Sequence, residues 1–311
     1  MTTALITHPD CLKHINPAGH PEQVARLESI LRVLSAPQFD ALLRIEAPLA
    51  EEADILLAHP PEHLSAIKAA APHHGTCALD ADTHMSTGSL TAAFRAVGGN
   101  IKAVDMVLAG EVSNAFCALR PPGHHAEATT PMGFCLFGNV VIAAKHALEN
   151  HGLKRVAIVD FDVHHGNGTQ DLVWHDPRIL FCSTHQMPLY PGSGAAHEVG
   201  AHNNVLNVPL KPNADGNDLR AAFEEKILPA LERHAPELIL ISAGFDAHTA
   251  DPLANLDFVE EDFVWATRVL CEFANKHCEG RVVSTLEGGY DLQALAASTA
   301  AHVSVLMEQR S

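Results

Sequence analysis

Asp160, Asp162 and His164 alternate along DFDVHH, directly after the apolar, largely β-branched run Val156-Ala157-Ile158-Val159. In a strand, successive side chains point to opposite faces, so these three would share one face while Phe161 and Val163 take the other. Carboxylate oxygen with imidazole nitrogen is a ligand set for zinc or a similar divalent ion. Asp246 follows a second apolar run, at 238–242, and adds a further carboxylate. Asp162, His164 and Asp246 would then leave one coordination position open, as in catalytic rather than structural zinc sites. The competing reading is a solvated loop whose Asp and Asn residues cap the next turn.

Other residues suit chemistry beside such an ion. His124 and His125 form a tandem pair after a Pro-Pro-Gly turn. Imidazoles titrate near neutrality, which fits general acid and base work. Asp160, not needed as a ligand, could orient one imidazole, and Asn167 the other. A carboxylate raises its histidine's pKa and a neutral amide does not, so the pair should differ in proton affinity. Tyr290 follows two glycines, and its hydroxyl would be a donor to a tetrahedral oxyanion. Gly133-Phe134 and Tyr190 lie in glycine-containing loops; the two rings could wall a narrow channel or be ordinary core.

The elements that must position these groups alternate between strand and helix. Strands are expected at 4–7, 114–119, 156–159, 179–183, 205–210, 238–242 and 281–286. Helices are expected at 21–34, 64–71, 90–109 (weakened by Gly98-Gly99), 139–150, 218–233, 260–276 and 292–307, with another beginning near Thr169. Residues 79–89 read as a polar loop, with Asp80 and Asp82 as turn residues. Such alternation signals a parallel sheet covered on both faces. The polar motifs follow the runs at 114–119, 156–159, 238–242 and 281–286, and in a parallel sheet the carboxyl ends share one ligand-binding edge. Motifs far apart in sequence are therefore predicted to meet there.

Composition narrows the partners. The chain has 311 residues, 47% of them hydrophobic and 18% charged, which fits a globular enzyme. Its formal net charge of −17 argues against direct nucleic-acid binding. The same charge would tolerate or attract cationic substrates. No apolar run suggests a membrane span or a secretory leader, so a cytoplasmic location is expected. The seven cysteines form no C-x-x-C pair and read as reduced thiols. Self-association into a homo-oligomer is left open.

Taken together, RPPGHHA (120–126), GFCLFGN (133–139), DFDVHHGNGTQ (160–170), STH with YPGSG (183–194), NVPL (207–210), SAGFDAHTADPL (242–253) and LEGGYDL (286–292) resemble the histone deacetylase family. NPAGHPEQVARL (16–27) is similar to its N-terminal segment. Asn167 places the likeness nearest the class II branch and the bacterial histone deacetylase-like amidohydrolases. The resemblance implies the arginase/deacetylase fold: a single α/β domain over 1–311 with a mostly parallel sheet of about eight strands flanked by helices. It implies zinc on Asp162, His164 and Asp246, His125 as base and acid, His124 with Asp160 as its electrostatic partner, and Tyr290 as oxyanion donor. Phe134, Tyr190 and Gly133 match the acyl-lysine channel. A structural potassium ion is implied at Asp160, Asp162, His164, Ser183 and Thr184.

The activity so implied is removal of acetyl or other short acyl groups from lysine in a peptide or protein, or from a small amine. Polyamine-selective relatives resemble one another in carrying a glutamate at the position of Leu253, and leucine has no charge to hold a distant ammonium. Leu253 therefore favours an acyl-lysine peptide or a small neutral acyl-amide over an acetylpolyamine. Three rivals remain. A small-molecule amide or ester hydrolase would use the same zinc chemistry. A binuclear manganese ureohydrolase would need ligands that His248 does not match. A catalytically silent acyl-binding protein would be expected to have lost a ligand, a tandem histidine or the tyrosine.

Overall fold

The computed structural model describes residues 2–308. Its strands are β1 (Thr3–Thr7), β2 (Leu43–Glu46), β3 (Thr76–Ala78), β4 (His84–Ser86), β5 (Asn114–Cys117), β6 (Val156–Asp160), β7 (Ile179–Gln186), β8 (Val205–Leu210), β9 (Ile239–Ala243) and β10 (Val282–Leu286). Its helices are α1 (Val24–Val33), α2 (Glu52–Ile55), α3 (Pro61–Ala70), α4 (Ser89–Leu108), α5 (Asn139–Glu149), α6 (Asn167–Val173), α7 (Gly216–Ala222), α8 (Leu228–His234), α9 (Glu260–His277) and α10 (Leu292–Glu308).

Eight strands form one sheet in the order β2-β1-β5-β10-β9-β6-β7-β8, and β3 pairs with β4 separately. Every pairing within the large sheet is parallel. Its central strands are buried along their whole length, as a sheet covered on both faces requires. One helical group packs α10 against α1 and α9; the other packs α4 against α5. Among the described residues no helix is long and apolar enough to cross a membrane. All seven cysteines are free thiols.

The departures from the sequence reading have local causes. β2, Leu-Arg-Ile-Glu, carries no apolar run because it is a largely exposed edge strand. The segment read as a polar loop contains β4, which pairs antiparallel with β3 just before it, and strands of three residues are too short to show a period. α4 is continuous through Gly98-Gly99. A side chain at Gly98 would overlap the backbone of Pro48, and one at Gly99 the side chain of Leu119, so this pair serves close packing and not a helix break. The segment expected as one helix at 218–233 is α7 and α8 joined by a π turn at Phe223–Ile227, and it begins earlier, at the capping box of Asp215.

Candidate active site

β6 ends at Asp160, so strand alternation does not itself align the acidic and His motif. Two successive side-chain-to-backbone turns do: Asp160 Oδ1 accepts from Asp162 N at 3.0 Å and Asp162 Oδ1 from His164 N at 2.9 Å. Phe161 and Val163 still go to the core, which leaves the alternate polar residues on the opposite side. His164 Nδ1 lies 3.2 Å from Asp162 Oδ1 and 3.1 Å from Asp246 Oδ2. All three side chains are buried. The remaining oxygens are fixed as well: Gly288 N donates to Asp162 Oδ2 at 2.8 Å and Val163 N to Asp246 Oδ1 at 2.9 Å.

The electrostatics of this trio fit a cation. Burial works against the charge on His164, but hydrogen bonds to both carboxylates lift its pKa to about 10. Burial and the charge of Asp162 push Asp246 up. Two adjacent buried carboxylates thus draw a proton onto the imidazole between them, and a divalent ion would meet the same need for positive charge. The donor set, one nitrogen and two carboxylate oxygens, suits zinc.

β5 delivers the tandem histidines, whose ring centroids are 4.0 Å apart. His124 Nδ1 lies 3.0 Å from Asp160 Oδ2, and His125 Nδ1 lies 2.7 Å from Asn167 Oδ1. Burial opposes a charge on His124, yet Asp162 and Asp160 outweigh it and hold the pKa well above the ordinary imidazole value. Burial, with His124 and His164 nearby, pushes His125 well below it. The expected difference between the two is therefore present: carboxylates raise His124, whereas burial and the neighbouring imidazoles, not the amide of Asn167, lower His125. Burial pushes Asp160 up to about 7 against the pull of His124.

A cavity of about 240 Å³ is lined by His125, His164, Tyr290, Gly133, Phe134, Tyr190 and Leu253, together with Asp82 and Leu189. The proposed channel residues and three of the chemical groups thus share one space. Gly133 has φ +54°, and a Cβ there would overlap the His125 ring. Phe134 adopts φ 70°, rare for a bulky residue, and its N–H donates to Thr83 Oγ1 at 3.1 Å. Of the residues assigned to a potassium site, Asp160 and Ser183 are register partners across β6 and β7. The Ser183 hydroxyl sits 2.9 Å from His185 Nδ1, and the buried Thr184 hydroxyl has no hydrogen-bond partner among the described residues.

Several residues at the site escaped the sequence reading. Glu287 accepts from Gly123 N at 2.7 Å and from Ser242 Oγ at 3.1 Å, tying the histidine turn to β9 and β10. Arg26 is fully buried: its Nε donates to Gly289 O at 2.6 Å, and its guanidinium lies 4.9 Å from the centre of the Tyr290 ring. Glu22, four residues earlier, pairs with both Arg26 and Arg120. On sequence, a Glu and an Arg at that spacing look like an exposed helix pair. Asp251 accepts from Tyr290 N at 2.7 Å and from Leu253 N at 3.0 Å. Asp82, read as a turn residue, belongs to the cavity wall.

Known proteins resemble this chain over nearly its whole length. The family model for the histone deacetylase domain matches residues 20–306. An uncharacterized protein of Synechocystis is 45% identical over 299 residues, covering 95% of this chain and 96% of that protein. The histone deacetylase-like amidohydrolase of Pseudomonas aeruginosa is 40% identical, over 88% of this chain and 73% of its own. The crystal structure of the HDA15 HD domain superposes with a TM-score of 0.94 at 33% identity, covering 99% of this chain and 88% of that one.

Proposed function

The chain belongs to the histone deacetylase family, and from that premise we propose that it is a zinc-dependent amidohydrolase removing acetyl or other short acyl groups from lysine side chains. Asp162, His164 and Asp246 would hold the ion. Bound there, zinc would supply a Lewis acid for the amide carbonyl and positive charge that eases deprotonation of water.

The chain's own groups do the rest. Asn167 Oδ1 accepts from His125 Nδ1, and the Asn167 amide is oriented by donating to Glu127 Oε1 at 2.8 Å. That hydrogen bond keeps a proton on Nδ1, so Nε2 of a neutral His125 is the basic nitrogen. His125 takes a proton from water as it attacks the carbonyl carbon and returns one to the leaving amine. His124, held protonated by Asp160 and Asp162, balances developing negative charge. Burial raises the pKa of Tyr290 well above its ordinary value, so its hydroxyl keeps the proton it donates to the oxyanion. Phe134 and Tyr190 exclude water along the acyl-lysine stem. Potassium near Asp160 and Ser183 is a subsidiary part of the reading, checked by comparing activity in potassium and sodium salts.

One observation carries the proposal: the buried trio and two tandem histidines with opposite partners meet beside one narrow cavity. The same complete set of groups weighs against a silent binding protein. Leu253 favours a peptide, while Asp82 gives an acetylpolyamine one carboxylate in the same wall. The test is kcat/KM of zinc-loaded protein on an acetyl-lysine peptide and an acetylpolyamine, with a chelated control. Chelator-sensitive turnover favouring the peptide is expected. Preference for the polyamine would overturn the substrate assignment, and turnover of neither would overturn the activity.

A further inference from the structure

A second group of metal-ligating side chains lies well away from the cavity. Asp105 is near the end of α4, His146 near the end of α5, and His151 just beyond it. α4 ends shortly before β5 begins and α5 shortly before β6 begins, so the group sits at the amino edge of the sheet, whereas the active site occupies the carboxyl edge. Asp105 Oδ1 lies 2.7 Å from Nε2 of His146 and 2.7 Å from Nε2 of His151. The histidine rings meet edge to face with centroids 5.3 Å apart.

We propose that Asp105, His146 and His151 form a second, exchangeable site for a divalent transition-metal ion such as zinc, cobalt or nickel. Two imidazole nitrogens and a single carboxylate oxygen favour these borderline ions over magnesium or calcium, which prefer oxygen throughout. The side chains of Asp105 and His151 are 40% and 30% exposed, so an ion can arrive from solvent and retain water on its open positions. The spacing is that of hydrogen bonds. Around tetrahedral zinc with bonds of about 2.0–2.1 Å, neighbouring ligand atoms stand about 3.3 Å apart, so the three must open slightly. His151 can provide that movement. It lies outside the helix, is the most exposed of the two rings, and precedes Gly152, whose φ of +72° turns the chain.

Relative strength also follows. Ligation through Nε2 moves the ring proton to Nδ1, and Nδ1 of His146 is buried without a hydrogen-bond partner among the described residues. Histidine ligands ordinarily donate that proton to an acceptor. The site is therefore weaker than the buried trio, whose carboxylates are held by backbone N–H groups. An ion there would join the ends of α4 and α5.

The experiment is equilibrium dialysis of untagged, chelator-stripped full-length protein against zinc, with metal quantified per chain. The lack of a tag matters because the chain already has 22 histidines. Wild type should take up a tight and a weaker ion. His151→Ala and Asp105→Asn should each lose the weaker one only, and should lose the rise in melting temperature that its binding brings. His164→Ala should lose the tight ion and keep the weaker. His151→Ala loaded with its tight ion should retain wild-type kcat/KM. A single ion in wild type, lost only with His164→Ala, would overturn this site and leave the proposed activity standing. Two ions retained in both His151→Ala and Asp105→Asn would overturn it as well.

Discussion

Tyr290 concentrates the proposed chemistry in one hydroxyl. Removal of a single oxyanion donor typically lowers turnover by ~100 to 1000-fold. Tyr290→Phe should therefore reduce kcat by about that factor while leaving zinc stoichiometry unchanged, which steady-state kinetics with metal analysis will check. The backbone on either side of that tyrosine is clamped: Arg26 takes the Gly289 carbonyl and Asp251 takes the Tyr290 amide. Misplacement by about 1 Å can cost on the order of 100-fold in rate. Asp251→Ala should lower kcat by about 10- to 100-fold, chiefly through Tyr290. Combined with Tyr290→Phe, it should add little further loss; fully multiplicative effects would mean that Asp251 acts elsewhere. The tyrosine was legible in sequence because it stands in a distinctive motif. Asp251 and Arg26 were not, since the backbone atoms of the tyrosine loop that they hold are remote in the chain.

At the scale of elements, the turns after the strands carry the precision. Gly288, in the turn after β10, packs so closely that a Cβ would overlap the carboxylates of both Asp246 and Asp162, and its N–H holds Asp162 Oδ2. Gly288→Ala should push those oxygens out of place. Disturbing the groups that orient metal ligands typically weakens metal binding 10- to 100-fold, and competition with a chromogenic chelator would measure the change. Unaltered affinity would show that the turn can relax. The helix pattern and the central strands were readable because period and apolarity are local properties. β2 and β3–β4 were not, because an exposed edge strand and three-residue strands carry little hydrophobic signal.

Over the whole molecule, the many histidines make stability depend on acid. His302 is fully buried between Thr267 Oγ1 at 2.6 Å and Ser284 Oγ at 2.9 Å, and burial lowers its pKa from 6.5 to about 3. Between pH 6.5 and about 3 the unfolded chain therefore holds a proton at this residue that the folded chain refuses. Its contribution to stability is complete above pH 6.5 and falls as the pH drops, by up to about 1.4 kcal/mol per pH unit. Asp160 and Asp251, raised to about 7 largely by burial, pull in the opposite direction. The informative quantity is thus the difference between wild type and His302→Gln in denaturant unfolding at pH 7.5 and pH 5. The variant should lose less stability on acidification than wild type. Equal losses would contradict the assignment.

The sequence by itself determined the class of fold, the edge at which its motifs would gather and the residue types of the proposed hydrolytic site. It could do so because strand and helix periods, and the placement of polar motifs after apolar strands, are properties of short stretches. Only the tertiary structure decided how those residues are held. It replaced strand alternation at 160–164 with two side-chain-to-backbone turns, gave the two histidines their separate partners, and brought Asp82 into the cavity wall. It also buried Glu22, Arg26 and Arg120 together beneath the tyrosine loop and joined Asp105 to His146 and His151. Apart from the two local turns and the Glu22–Arg26 pair, these depend on contact between segments tens to hundreds of residues apart, and such contacts are set by the packing of the whole sheet and its helices.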